Sequence, residues 1–265
     1  KIQLFAQPNL KNIILKHGYK EKTILGNRGR IIDVNGKELV VTINRYTFWI
    51  NTAEKYDKNL IVNLFSNTFN KSVDFYFSKL SETSNYIVLE KNVSDEKAEN
   101  ILIEMKNITG IRFDKSPSRL YKYNNLASQT LGYVNTEKVG SLGIEQSCNH
   151  LLIGDTINIT LKKGANGNFY NTRILEDDKI NGSDIQLTID IELQRVLQEE
   201  LLNVVNLTDS KGGNGLIINP HNGEIIAMAS IPDFNPNFYN EFDITSFKNS
   251  VISDSYEPGS TLKIV

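Results

Sequence analysis

The sequence predicts an α+β protein with two domains, residues 1–183 and 184–265. Three observations lead to this prediction. Runs rich in β-branched and aromatic residues alternate with segments of helical spacing, Asn-Gly pairs interrupt apolar runs at residues 35–36 and 222–223, and residues 164–183 form a polar stretch rich in Gly, Asn and Asp. We therefore expect a first, elongated domain of short strands and helices, followed by a domain built on an antiparallel sheet.

The first domain opens with a polar region in which residues 2–18 fit one or two helical turns. Asn35-Gly36 predicts a hairpin turn because both positions accept positive φ, and residues 40–50 predict a strand. Residues 53–80 have helical spacing, and residues 86–89 predict a short strand.

Beyond this point, Ser94 is expected to cap a helix that continues to Met105 and is ended by Gly110. Residues 111–135 predict short strands and turns. The buried face of the helix is expected to consist of Ala98, Ile101, Leu102 and Met105.

The second domain is expected to begin with a strand at residues 185–190, whose last residue, Asp190, caps a helix. Residues 212–215 predict a flexible break, and residues 216–229 predict two apolar strands around an Asn-Gly turn. The apolar stripe of the helix comprises Leu193, Val196, Leu197, Leu201, Val204 and Val205.

Composition excludes several classes of function. The formal net charge of −2 leaves no basic excess for nucleic acid, so no nucleic-acid partner is expected. Cys148 is the single cysteine, which rules out an intrachain disulfide and a Cys-rich zinc site. The three histidines have no metal-ligand spacing, so we expect no metal site.

The chain begins with Lys, and no stretch approaches the ~18 apolar residues of a membrane span. We therefore expect a piece of a longer protein, which could carry a signal peptide or membrane helix before residue 1.

Two Ser-x-x-Lys sequences are candidates for a catalytic nucleophile and its general base. Random placement of 19 Ser and 22 Lys in 265 residues produces about 1.6 such matches, so the spacing alone carries no weight. Ser94–Lys97 opens a polar helix, and capping accounts for its serine. Ser260–Lys263 differs, because it follows Pro258-Gly259 and leads into apolar residues.

The chemistry of serine acylation fits Ser260–Lys263. Residues three apart at a helix start share a face, which brings the Lys263 amine near the Ser260 hydroxyl. Burial of the amine would lower its pKa and leave part of it neutral, able to take the serine proton. Backbone N–H groups at a helix start favour a developing oxyanion.

At this point the wider sequence resembles the class B penicillin-binding proteins, in which the serine of Ser-x-x-Lys is the acylated nucleophile. The resemblance departs from the family pattern at Val34, Val40, Lys122 and Asn124, where Arg, Ala, Pro and Gly are usual. The segments that carry it, in family order, are residues 28–40, 119–135, 140–154, 187–194, 218–237 and 257–263.

The resemblance implies an N-terminal pedestal domain at 1–183 and the start of a transpeptidase domain, similar in fold to serine β-lactamases, at 184–265. It implies a peptidoglycan D,D-transpeptidase with no cofactor, in which Ser260 is the nucleophile and Lys263 the base. The substrate is a stem peptide ending in D-Ala-D-Ala, which β-lactams mimic. The division type is favoured over the elongation type by the compact 140–185 region and the Pro-Asp-Phe-Asn-Pro-Asn loop.

The same resemblance implies a single membrane anchor before residue 1, with this region outside the cytoplasmic membrane. It also implies partners, namely a polytopic glycan polymerase and other membrane proteins of cell division, bound by the pedestal. A β-lactam sensor or β-lactamase fits less well, because such proteins would not carry the 28–40 and 119–154 segments in this arrangement.

Two further family motifs, Ser-x-Asn and Lys-Thr/Ser-Gly, do not follow Lys263 in these 265 residues. Ser147-Cys148-Asn149 matches the first of them but precedes the nucleophile, so we interpret it as a decoy. We therefore expect these 265 residues alone to be inactive, and the pedestal interaction to be their alternative function. Structural roles in the pedestal and domain junction are expected for Arg28, Asp33, Gly36, Arg119, Gly143, Glu145, Asp190 and Gln194.

Overall fold

The computed structural model describes residues 19–82, 84–163, 169–171, 180–257 and 259. The chain divides into two compact units. The larger unit comprises Lys1–Val41 with Leu120–Val265, and the smaller unit comprises Thr42–Arg119. The smaller unit is therefore an insertion in the sequence of the larger one, and the domain boundary expected near residues 183 and 184 stays a prediction.

The smaller unit combines an antiparallel sheet with helices. Strand β3 pairs with β4 and with β5. The strand expected at 40–50 and the helices expected within 53–80 are confirmed. The elements are β3 (Glu38–Asn51, which begins in the larger unit), α1 (Lys58–Phe69), α2 (Val73–Lys79), β4 (Tyr86–Val93), α3 (Asp95–Glu104) and β5 (Ile111–Tyr121, which ends in the larger unit).

The core of the smaller unit follows from the alternation of side chains along β3. Tyr46, Phe48 and Ile50 are buried on one face of the strand, as a period of two requires. Phe48 meets Phe65 of α1 edge to face, with ring centroids 5.9 Å apart. Burial of each such side chain stabilises the fold by about 1.5–3 kcal/mol.

The helix expected after Ser94 is confirmed as α3, with Ala98 and Ile101 buried. The Ser94 side chain makes no capping hydrogen bond, so the residue occupies the cap position without the expected contact. Gly110 does not end the helix, because α3 stops at Glu104. Its φ of +90° instead serves the bend that enters β5, which is one long strand rather than several short ones.

The described part of the larger unit contains three groups of strands, the third of them in its C-terminal part. In the first group, β1 (Tyr19–Leu25) pairs antiparallel with β6 (Thr156–Lys163), which also pairs with β7 (Phe169–Asn171). The sequence patterns missed β1. In the second group, β2 (Ile31–Ile32) lies between the start of β3 and β8 (Ile185–Gln186), antiparallel to the former and parallel to the latter.

The expected turn at Asn35-Gly36 joins β2 to β3, and Gly36 has φ +81°. The fully buried carboxylate of Asp33 fastens this turn by accepting hydrogen bonds from the backbone N–H groups of Asn35 and Lys37. A third backbone N–H, from Ile191, donates to it at 3.4 Å. The carboxylate of Asp33 therefore binds both this turn and the first residue of the helix that begins at Ile191.

The C-terminal part of the larger unit packs helix α7 (Ile191–Leu207) on an antiparallel hairpin of β9 (Gly213–Ile218) and β10 (Ile225–Ile231). The hairpin and the Asp190 cap of α7 are confirmed, although the strand before Asp190 is only two residues long. Short helices precede and follow these elements: α4 (Ser128–Leu131), α5 (Gly143–Ser147), α6 (Asn149–Leu152), 3₁₀ turns at Pro236–Glu241 and Ile244–Phe247, and α8 (Ser250–Ser253).

The flexible break expected at residues 212–215 is wrong, because Gly213 and Gly215 belong to β9. A Cβ atom on Gly215 would lie 2.8 Å from Leu197 Cδ1, and one on Gly213 would lie 2.9 Å from Val205 Cγ2. The glycines therefore allow α7 to approach the strand closely.

The apolar stripe expected on α7 is only partly buried. Leu193, Val196 and Val204 are about half exposed, at 44%, 47% and 53%. Gln194 and Gln198 are buried in their place, because their amides find hydrogen-bond partners in neighbouring segments.

The helical turns expected at 2–18 lie outside the described residues. In the part of the chain that the structure describes, none of the helices has both the length and the apolar character needed to cross a bilayer.

Candidate active site

Both catalytic candidates, Ser260 and Lys263, lie outside the described residues. The chain is described up to Glu257 and again at Gly259. Gly259 has φ +55°, a left-handed conformation that residues with a side chain rarely adopt. This conformation suits the tight turn expected immediately before Ser260.

The segment that leads to Ser260 starts at β10 and runs through the two 3₁₀ turns and α8. Gln194 of α7 holds β10 as a neighbouring strand would. Its Nε2 donates to the carbonyl of Met228 at 2.9 Å, and its Oε1 accepts from the backbone N–H of Met228 at 2.8 Å. The position of β10 relative to α7 is therefore fixed by hydrogen bonds as well as by packing.

One turn further along α7, Gln198 binds the loop that precedes α4. Its Nε2 donates to the carbonyl of Asn125 at 2.9 Å and to Asp233 Oδ2 at 2.5 Å. Its Oε1 accepts from the backbone N–H of Ala127 at 3.2 Å. Asn125 Nδ2 also donates to Asp233 at 2.8 Å. The Asp233 carboxylate therefore joins α7 to the loop that precedes α4.

An aromatic cluster covers the other side of this segment. The Tyr133 ring stacks on Tyr239 with centroids 4.2 Å apart and lies 5.5 Å from Phe247. Phe234, which is fully buried, meets Phe247 edge to face at 4.7 Å. Both 3₁₀ turns are thereby packed against Tyr133, which lies two residues beyond the end of α4.

A cleft of about 410 Å³ opens beside the end of the described segment. Asp254 lies in the wall of the cleft and forms an ion pair with Lys248. The hydrogen bond from Lys248 lowers the pKa of the Asp254 carboxyl. The cleft therefore carries a carboxylate at neutral pH. It is lined by Asn214, Gly215, Leu216, Ser250, Val251, Asp254 and Tyr256.

Comparison with protein families identifies the two parts of this arrangement. The model of the penicillin-binding protein dimerisation domain matches residues 23–187, and that of the penicillin-binding protein transpeptidase domain matches residues 213–265. The chain belongs to the penicillin-binding proteins.

Individual relatives agree with this assignment. The chain is 30% identical over 249 residues to a peptidoglycan D,D-transpeptidase FtsI homolog of Mesostigma viride, covering 92% of this chain and 41% of that protein. It is similar in fold to penicillin-binding protein 2X of Streptococcus thermophilus, with a TM-score of 0.68 and 22% identity over 92% of this chain and 40% of that one.

A second solved structure, the complex of penicillin-binding protein PBP2 with MreC from Helicobacter pylori, matches with a TM-score of 0.63 and 20% identity. The match covers 93% of this chain and 51% of the other. This penicillin-binding protein thus spans from two fifths to half of the length of these three proteins.

The residues for which structural roles were expected make contacts that hold segments of the chain together. Arg28 pairs with the buried Glu145, and Asp33, Gly36, Asp190 and Gln194 make the contacts given above. In the smaller unit, Arg119 Nη1 donates to Thr42 Oγ1 at 3.0 Å. Gly143 has φ +55° and adjoins the carbonyls of Gln129 and Thr130.

The other two motif matches, Ser94–Lys97 and Ser147–Asn149, have residues with structural contacts. Lys97 lies over the ring of Phe69, 5.6 Å from its centroid. Ser147 Oγ donates to the carbonyl of Gly143, and Asn149 Oδ1 accepts from Arg28 Nη1 at 2.7 Å. Among the described residues, no group of three or more His, Cys, Asp or Glu side chains is placed to hold a metal ion.

Sequence patterns missed the buried amides of Gln129 and Gln198. The available signal was that Gln194 and Gln198 occur four residues apart beside the stripe of an amphipathic helix, where a polar side chain must find a partner. Gln129 stands in a short polar sequence with no comparable signal.

Proposed function

We propose that the protein is a peptidoglycan D,D-transpeptidase of cell-wall synthesis, with Ser260 as nucleophile and Lys263 as general base. The supporting observation is that Ser260-Thr261-Leu262-Lys263 lies within the stretch matched by the transpeptidase model, directly after a glycine of positive φ. The name of the Mesostigma relative includes this activity.

In the proposed reaction, Ser260 Oγ attacks the carbonyl carbon of the penultimate D-Ala of a stem peptide while Lys263 takes its proton. The tetrahedral intermediate then collapses, the peptide bond breaks, and the proton passes to the amine of the departing D-Ala. An amine of a neighbouring stem attacks the resulting ester, which releases Ser260 and forms the cross-link. The backbone N–H of Ser260 supplies one donor to the oxyanion.

A β-lactam follows the first half of this sequence. Attack by Ser260 opens the lactam amide, and the ring nitrogen takes the proton but stays tethered, so the ester persists. Labelling of the complete gene product with fluorescent penicillin therefore tests the proposal. We expect a covalent band that disappears in Ser260→Ala and persists in the matched controls Ser94→Ala and Ser147→Ala. A band that survives Ser260→Ala would overturn the assignment.

For a polypeptide of these 265 residues alone, we expect no labelling. The sequence holds no Ser-x-Asn after Lys263 and no Lys-Thr-Gly or Lys-Ser-Gly. A serine site that lacks most of its partners keeps little activity. A covalent band at the chain's own mass of 30.0 kDa under saturating penicillin would contradict this expectation.

A second function, binding of membrane partners through the pedestal, is supported by the solved complex of a similar penicillin-binding protein with MreC. The partners we propose are a polytopic glycan polymerase and other division proteins. Substitutions at exposed positions within residues 28–36, such as Val34, should weaken co-purification with the polymerase and leave penicillin labelling intact, whereas Ser260→Ala should do the reverse. If both variants lose both properties, the two functions are not separable in this way.

We further propose a division-type enzyme held in the cytoplasmic membrane by one helix before residue 1, with this region outside. The name of the Mesostigma relative fits the division type. Protease added to intact spheroplasts should digest this region. Protection until the cells are lysed would contradict the topology.

A further inference from the structure

The side chain of Gln129, in α4, is buried with 6% of its surface exposed. Its Nε2 lies within hydrogen-bond distance of three backbone carbonyls: Ser230 at 3.2 Å, Pro232 at 3.0 Å and Ser246 at 3.0 Å. A primary amide has two N–H groups, so these are shared among three acceptors. Its Oε1 accepts from Ser128 Oγ at 3.2 Å.

The three carbonyls belong to three successive pieces of the segment that leads to the proposed nucleophile. Ser230 lies near the end of β10, Pro232 in the following loop, and Ser246 in the second 3₁₀ turn. All three lie in the stretch matched by the transpeptidase model, whereas Gln129 lies in that matched by the dimerisation model. One amide therefore joins the two.

Neighbouring contacts hold the same segment less directly. Phe234 N donates to Ser128 Oγ at 3.5 Å. Asn249 Oδ1 accepts from Ser230 Oγ at 3.5 Å, and Asn249 Nδ2 lies 3.7 Å from Met228 Sδ. Gln129 differs from these because it binds the segment at three places with a single group.

We propose that Gln129 is a positioning residue for acylation: its amide holds the segment from β10 to the second 3₁₀ turn in the conformation that presents Ser260. This inference rests on the proposed function. In this proposal the amide of Gln129 acts through backbone carbonyls and not on the reacting atoms. Its effect on the reaction comes from fixing the backbone on which the nucleophile is carried.

Replacement of the amide by a carboxyl supplies a specific test. In Gln129→Glu at neutral pH, a carboxylate would face three carbonyl oxygens with no proton to donate. Protonation at lower pH returns one O–H donor, and burial among acceptors raises the pH at which this occurs. The charged groups on or next to the contacting segments are Asp233, held by Gln198 and Asn125, and Asp243 and Lys248, which flank the second 3₁₀ turn.

The experiment measures the second-order rate constant of labelling by fluorescent penicillin for the complete gene product between pH 5 and pH 8. The rate constant of each variant is divided by that of wild type at the same pH. This ratio removes the effect of pH on the active site itself. Gln129→Glu should be slowed about tenfold or more at pH 8, and the deficit should shrink toward pH 5. Gln146→Glu, the same change at an exposed position, should stay within about twofold throughout.

Gln129→Met removes the donor without adding a charge and provides the test if Gln129→Glu does not fold. It should be slowed at every pH, with no recovery on acidification. Wild-type rates in either variant, or a deficit of Gln129→Glu that does not change with pH, would overturn the inference. Failure of wild type itself to label would instead overturn the proposed function.

Discussion

Arg28 and Glu145 form a buried ion pair in the larger unit, with Arg28 Nε 2.5 Å from Glu145 Oε2. The Glu145 side chain is fully buried, and 9% of the Arg28 side chain is exposed. The same guanidinium donates through Nη2 to the carbonyl of Glu145 and through Nη1 to Asn149. The segment between β1 and β2 is thereby fastened to α5 and α6, far away in the sequence.

Glu145→Gln should destabilise the protein by about 3–5 kcal/mol, because it removes a buried carboxylate charge that faces the Arg28 guanidinium. Calorimetric measurement of Tm checks this. The matched control is Glu199→Gln on α7, which removes an exposed, solvent-screened pair with Arg195 and should lower Tm far less. Equal effects of the two substitutions would show that the buried pair has no special weight.

The cap of α7 should make stability depend on pH. Burial acts to raise the pKa of Asp190, but hydrogen bonds from the Asn35 side chain and from the N–H groups of Leu193 and Glu192 outweigh it, so the pKa is lowered. A lowered pKa stabilises the folded state above the unfolded value of about 3.9, and this contribution is lost as pH falls through the folded pKa.

Asp190→Asn keeps a capping side chain but removes the charge, so it should cost about 0.3–1 kcal/mol at pH 7. The difference from wild type should shrink as pH falls below about 4 toward the folded pKa of Asp190. Asp190→Ala loses the cap itself and should cost about 0.5–2 kcal/mol at pH 7. Urea unfolding at pH 3 and pH 7 separates the two effects, and a cost of Asp190→Asn that is equal at both pH values would contradict this account.

Local signals were sufficient for much of the fold. The turns at Asn35-Gly36 and Asn222-Gly223, the alternation along β3 and the cap at Asp190 were predicted because each depends on a few adjacent residues. The family resemblance and the order of its segments were likewise available from the sequence. The roles of Ser260 and Lys263 in catalysis stay predictions.

The errors at the glycines of β9 and at the buried glutamines have a different cause, since each depends on contacts between distant parts of the chain. Gly213 and Gly215 predicted a flexible segment, whereas in the structure α7 packs closely against them. Gln129 and Gln198 became core residues because carbonyls from far along the chain meet their amides. The helix that packs on the glycines and the carbonyls that bind the glutamines cannot be recognised from a local sequence pattern.

Gly215→Val should destabilise the larger unit by about 1–3 kcal/mol, because the added side chain meets Leu197 where α7 approaches β9. Asn214→Val, on the exposed alternate position of the same strand, is the matched control and should change stability by about 0.5 kcal/mol or less. Urea midpoints of the two variants provide the comparison. A Gly215→Val protein as stable as Asn214→Val would mean that the helix can withdraw at no cost.

Lys263→Arg tests the proposed base separately from its charge. An arginine keeps the positive charge but does not lose its proton in proteins, so it cannot accept the proton of Ser260. Penicillin labelling of the complete gene product should slow by about 10²–10⁴-fold, the range of general base catalysis. Lys97→Arg makes the same change in the Ser-x-x-Lys sequence of α3 and should label at the wild-type rate. Labelling of Lys263→Arg at that rate would assign the base to another residue while leaving Ser260 as nucleophile, since Ser260→Ala reports on the nucleophile independently.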